Sequence, residues 1–139
     1  MAFQSLPAAD FIPQKDPFVL VDTLVFADEH KTIASFKIPG EHIFLKEDRF
    51  STSGMVESMA QTAAAGTGWL SRENNKRVPV GYIGAVQKLE VFDWPPANAD
   101  ITMEITLLNH ILQVSLVSGI VRYKEKTIAS CEMKIFINP

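Results

Sequence analysis

The chain has 139 residues, 47% of them hydrophobic, with 13 Lys and Arg against 16 Asp and Glu for a formal net charge of -3. That is one domain's worth of sequence with apolar residues enough for a core, expected as a single unit over 1–139. The slight negative charge, with no basic stripe interleaved with aromatics, excludes general nucleic-acid binding. No apolar run reaches membrane-spanning length and the start MAFQSLPAAD has no signal-peptide core, so a cytoplasmic protein without membrane contact is expected.

In chain order, the residues up to Pro13 read as a short helical turn and a loop, with Pro7 suited to a first helical turn. Pro17 opens a strand read as PFVLVDTLVFAD. Asp28-Glu29-His30-Lys31 is a polar hairpin turn, and the alternation TIASFKI over 32–38 returns as a second strand, closed by Pro39-Gly40. A polar loop over 41–52 leads into the one long periodic stretch, Ser53 to Arg72, predicted as a helix capped by Ser51, Thr52 or Ser53. Its middle is small: Ala60, Ala63, Ala64, Ala65, Gly66 and Gly68. Small residues all round predict a helix enclosed by a curved sheet, with no room for a larger side chain at Ala64.

After a solvated turn at 73–77 comes a strand over 80–92 containing Gly81 and Gly84; glycine inside a strand marks a bend or a close ligand approach. A turn at 94–100 precedes strands at 101–108, 112–123 and 127–137, joined by short polar turns. Two strands, a long helix and four strands predict an α+β fold, one helix against an antiparallel sheet. Cys131, the only cysteine, sits in an alternating segment and reads as a small core residue.

Two polar residues interrupt the apolar helix, Glu57 and Gln61, four apart and so on one face. A carboxyl at a buried helix start needs partners and can serve as an acid. His30 and His110 lie in polar turns and read as surface residues. His42 lies just before the helix beside Ile43 and Phe44. An imidazole is a suitable general base near neutral pH, so His42 with Glu57 fits removal of a proton next to a thioester carbonyl with loss of a β-hydroxyl. Free N–H groups at the helix start, Thr52 to Met55, are candidate donors to the enolate oxygen. No His-x-x-x-His or Cys-x-x-Cys pair, Gly-x-Ser-x-Gly elbow or phosphate-binding glycine loop occurs, so no metal site is expected.

These residues carry a resemblance. The segment Ile12 to Asp22, the pieces Pro39-Gly40-Glu41-His42 and Glu57-Ser58-Met59-Ala60-Gln61, and the strand Gly81 to Leu89 are similar, in order, to the 3-hydroxyacyl-[acyl-carrier-protein] dehydratases of fatty-acid synthesis, the FabZ/FabA-like group. The resemblance implies a hotdog fold, a long central helix wrapped by an antiparallel β-sheet. It implies a homodimer, or a higher oligomer, whose shared sites take His42 from one subunit and Glu57 from the other. The substrate implied is a 3-hydroxyacyl chain on the phosphopantetheine arm of acyl carrier protein, dehydrated to the trans-2-enoyl thioester with no cofactor. Thr52, Gly54, Gln61 and Gly84 are the substrate-binding candidates. The span between His42 and Glu57 lacks the family's two Pro-Gly pairs, which points to a specialised branch resembling dehydratases of polyene pigment or secondary lipid pathways. Lys46, Arg49, Arg72, Lys76 and Arg77 flank this site in sequence and are expected to meet the acidic carrier. The rival readings are a hotdog thioesterase and a non-catalytic acyl-carrier-binding subunit.

Overall fold

The structure, a computed structural model, describes residues 3–138. Met1, Ala2 and Pro139, the ends of the expected single domain, lie outside the described residues. A two-residue strand β1 (Leu6–Pro7) and a 3-10 turn (Ala8–Phe11) precede β2 (Thr23–Ala27) and β3 (Lys31–Lys37). The loop expected at 41–52 contains a small hairpin, β4 (Leu45–Lys46) and β5 (Arg49–Phe50). Its turn residues Glu47 and Asp48 both take positive φ, the conformation a tight hairpin needs. Helix α1 (Thr52–Glu73) follows, then β6 (Val80–Val91), β7 (Asp100–Ile111), β8 (Val114–Tyr123) and β9 (Lys126–Asn138). Seven strands form one antiparallel sheet in the order β1-β2-β3-β7-β8-β9-β6.

The sheet bends around α1, which touches β2, β3, β7, β8 and β6. Met55, Met59 and Ala65 of the helix are buried together with Leu24, Ala34, Met103, Val121 and Met133 of the strands. Close approach explains the glycines. At Gly68 a β-carbon would collide with the carbonyl of Phe11, so only glycine lets the 3-10 turn lie on the helix. Ala64 corrects the expectation of a fully enclosed helix. It is half-buried and faces a cavity that Ala60 and Ala63 also line, while Ala65 and Gly68 face the packed side.

A second correction concerns the strand expected from Pro17. Residues 17–22 form an extended strap rather than a ladder strand, and β2 begins only at Thr23. The Leu20 N–H and the Phe18 carbonyl of the strap bond a helix side chain, the Phe18 N–H closes a turn onto the Lys15 carbonyl, and the Asp22 N–H reaches β3 at the Ser35 carbonyl. Its own Leu20 and Val21 side chains are fully buried. At the other end of the sheet, β6 is a 12-residue edge strand that exposes Tyr82, Ile83, Val86 and Leu89. A long, apolar, unpaired edge is a pairing surface.

Candidate active site

The start of α1 is built by Ser51, whose Oγ accepts the Gly54 N–H at 3.1 Å while its carbonyl accepts the Met55 N–H at 3.0 Å. The N–H groups of Thr52 and Ser53 are left without a partner among the described residues. This narrows the expected donors. Gly54 gives its N–H to the cap and is buried under the Phe50 ring, so it has nothing to offer a substrate oxygen. Thr52 stays at the helix mouth, its Oγ1 accepting from Trp94 Nε1 at 3.0 Å.

More than two turns on, Gln61 is 1% exposed, and a buried amide needs its groups bonded. Its Oε1 accepts the Leu20 N–H at 2.7 Å. Its Nε2 donates to the Phe18 carbonyl at 2.8 Å and to Glu57 Oε1 at 3.0 Å. Both amide hydrogens are therefore spent inside the chain. Gln61 fastens the strap to the helix and holds Glu57, a different duty from the substrate contact expected of it. Because Glu57 Oε1 receives an N–H, any proton on this carboxyl sits on Oε2. Glu57 is half-buried and lines a cavity of about 820 Å³, within the usual size of small-molecule sites. The cavity lies between the Glu57, Ala60, Ala64 and Thr67 side of the helix and inner-face residues such as Val117 and Ile135.

His42 does not line this cavity. Its Nε2 lies 2.6 Å from the Pro17 carbonyl, and its Nδ1 accepts the Phe44 N–H at 3.1 Å, with the ring stacked on Phe44 at 5.6 Å between centroids. A carbonyl only accepts, so Nε2 carries the proton and the Nδ1 lone pair is engaged. His42 and Glu57 thus attach to the same strap, one through Pro17 and the other through Gln61 and Phe18. Gly84 lies elsewhere: it sits at a bulge of β6 beneath the ring of Phe136, where a β-carbon would collide, and it is no part of the cavity wall.

Of the flanking cations, Arg49 bonds the Trp94 carbonyl at 2.6 Å, and Arg72 bonds the Asp10 carbonyl and stacks on Phe11. Lys46, Lys76 and Arg77 are exposed. Burial, with the charge of Glu132, pushes the Cys131 thiol up to about 11. His110 is exposed, as expected of a surface residue, and it has a partner. Its Nδ1 lies 2.7 Å from Ser115 Oγ, and Ser115 lines the cavity. The available signal was Ser115 itself, a hydroxyl on the inward alternation of β8 with Val117, Gly119 and Val121. Among the described residues no helix is long and apolar enough to cross a membrane, and no group of three or more His, Cys, Asp or Glu is placed to hold a metal ion.

The sequence matches the ApeP-like family, described as ApeP dehydratase, over residues 6–138. No curated protein matches it. Among solved structures it is similar to the dehydratase heterocomplex ApeI:P from Xenorhabdus doucetiae, with a TM-score of 0.87 at 14% identity over 96% of this chain and 92% of that one. It is also similar to the PaaI protein of the Escherichia coli phenylacetic acid degradation operon, with a TM-score of 0.67 at 10% identity over 81% of this chain and 80% of that one. A mutant of a hypothetical thioesterase from Streptococcus pneumoniae aligns with a TM-score of 0.67 at 8% identity, over 83% of this chain and 88% of that one. At these identities the likenesses establish the fold, which is the hotdog.

Proposed function

The chain belongs to the ApeP-like dehydratases, and from that premise we propose that it converts a 3-hydroxyacyl thioester on acyl carrier protein to the trans-2-enoyl thioester in a polyene or related lipid pathway. The observation that carries this reading is the placement of Glu57 on the cavity wall, with Oε1 held by Gln61 and Oε2 without a protein partner among the described residues. In the reaction a base takes a proton from C2, the C3–O bond breaks, and the C2=C3 double bond forms. Glu57 gives its Oε2 proton to the departing hydroxyl, which leaves as water. The thioester oxygen, on which negative charge develops, accepts from the free N–H groups of Thr52 and Ser53.

His42 is the proposed base. Acting so requires its Nδ1 to release the Phe44 N–H, the longer of its two contacts. Because His42 stands off the cavity wall that Glu57 lines, the site is proposed to be completed by a second hotdog subunit paired along the exposed edge of β6, with His42 of one copy serving Glu57 of the other. A homodimer is the simplest such assembly. The neighbour from Xenorhabdus doucetiae forms a heterocomplex, so a related second subunit is the alternative.

A thioesterase is the second reading. Both nitrogens of His42 are engaged while Glu57 faces the cavity, and a single carboxylate suffices to activate water. One assay separates the readings: the pure protein is given a 3-hydroxyacyl carrier substrate while enoyl product and free thiol are followed together. Enoyl without thiol supports dehydration. Thiol without enoyl refutes it in favour of hydrolysis, and neither product refutes it in favour of a non-catalytic subunit.

A further inference from the structure

Trp94 makes a bond that its exposure does not demand. Its side chain is 42% exposed, so water could serve its indole N–H. Instead Nε1 donates at 3.0 Å to Oγ1 of Thr52, 42 positions away at the start of α1. The indole is held in place from behind. The Trp94 N–H donates to Asp93 Oδ1 at 2.8 Å, and the Trp94 carbonyl accepts from Arg49 at 2.6 Å. The next carbonyl, of Pro95, accepts the Phe50 N–H at 2.8 Å. Arg49 and Phe50 are β5, and the residue that follows them is Ser51, the helix cap. The Trp94 loop, β5 and the start of α1 are therefore braced as one unit, which keeps the indole on Thr52.

An indole N–H only donates, so Thr52 Oγ1 accepts there and its single hydrogen points elsewhere. Among the described residues that hydrogen meets no acceptor. A hydroxyl free to rotate presents a lone pair as readily as a hydrogen, and a lone pair repels an oxygen that is gaining negative charge. Resting on the dehydratase reading, we infer that Trp94 is a positioning residue: by occupying a lone pair of Thr52 it reserves the hydroxyl hydrogen for the thioester oxygen, beside the unpaired N–H groups of Thr52 and Ser53. A donor oriented before the reaction gains strength as charge grows on that oxygen and needs no reorganisation at that moment. The interaction that Trp94 sets up is made chiefly in the transition state, so Trp94 acts on turnover and not on binding.

The test gives a 3-hydroxyacyl pantetheine thioester to the full chain in its native assembly. Trp94→Phe keeps an aromatic ring and loses the N–H. It should lower kcat about tenfold, the scale of one hydrogen bond, with KM and Tm nearly unchanged. Thr52→Val should lose as much, and Thr52→Ser, which keeps the hydroxyl, should recover most of that loss. Thr52→Val combined with Trp94→Phe should be no slower than Thr52→Val alone, because the indole then has nothing to hold. Losses that multiply to about a hundredfold in the double variant overturn the proposal, as does an unchanged kcat in Trp94→Phe. A second readout needs no turnover: the infrared carbonyl stretch of a bound acyl pantetheine thioester that lacks the 3-hydroxyl. Removing a donor from the thioester oxygen raises this frequency, so the band should rise in Trp94→Phe and in Thr52→Val. A band at the wild-type position in either variant overturns the proposal. Absence of turnover in the wild type refutes the dehydratase reading, and the infrared band then judges Trp94 by itself. If Trp94→Phe fails to fold, Thr52→Val still decides: an unshifted band overturns the role of Trp94, and a raised band that returns in Thr52→Ser supports it.

Discussion

Gln61→Leu is the sharpest test of how the site is held. The substitution keeps the approximate volume but removes three hydrogen bonds, to Leu20 N–H, Phe18 carbonyl and Glu57 Oε1. Phe18 is exposed, so its carbonyl can turn to water, whereas Leu20 is 0% exposed and its N–H would be stranded. A stranded buried donor costs about 1–3 kcal/mol. At roughly 3 °C per kcal/mol for a domain of this size, Tm should fall by about 3–9 °C. Thermal melting followed by circular dichroism measures this, and the enoyl assay should show kcat falling more than KM rises, since Glu57 loses its orientation. A Tm within about 1 °C of wild type would refute the latch. Gln61→Glu adds a pH signature. The new carboxyl oxygen in place of Nε2 faces the Phe18 carbonyl and Glu57 Oε1, both acceptors, so its folded pKa is raised above the ordinary value of about 4.3. Its stability contribution is then complete below that value and lost as pH rises through the folded pKa. The melting deficit of Gln61→Glu should be larger at neutral pH than near pH 4.5.

Glu57→Gln still accepts from Gln61 but has no acid proton, and His42→Ala removes the proposed base; each should lower dehydration by about a hundredfold or more with Tm little changed, and undiminished turnover removes that residue from the reaction. Gly68→Ala should lower stability by about 1–2 kcal/mol, overpacking against the Phe11 carbonyl outweighing the better helix propensity, whereas Ala64→Leu, facing the cavity, should melt near wild type and slow long-chain more than short-chain substrates. Cys131, 4% exposed and with its thiol raised to about 11, should resist alkylation at pH 8 until denaturant is added; because its folded value lies above the ordinary 9.0, the stability it contributes is complete below 9.0 and lost as pH rises through about 11. Lys46→Glu with Lys76→Glu should raise KM for a carrier-linked substrate and weaken its salt dependence, leaving a pantetheine analogue unaffected; equal losses on both substrates would mean damage inside the site, and no loss on either would place the carrier elsewhere.

The helix over 52–73 and the late hairpins were legible in the chain, because their signals are local: apolar period, capping hydroxyls and polar turns each act within a few residues. The strap at 17–22 was not. Its apolar pattern suits a strand, and nothing nearby reveals that its backbone bonds to a side chain 41 and 43 positions away. The glycines were visible as exceptions, but whether Gly84 meets a ligand or the ring of Phe136 depends on a strand that follows fifty residues later.

By itself, then, the sequence determined the α+β element order, the small-residue helix and the presence of His42, Glu57 and Gln61 near one another in the chain. Only the tertiary structure decided that Gln61 spends its amide on the strap and on Glu57, that both nitrogens of His42 are engaged, and that Ser115, on the cavity wall, meets His110. Residue type and period set which backbone conformations are cheap, a property of neighbours along the chain. Which donor meets which acceptor is set by how the sheet closes around the helix, a property of residues that become neighbours only on folding.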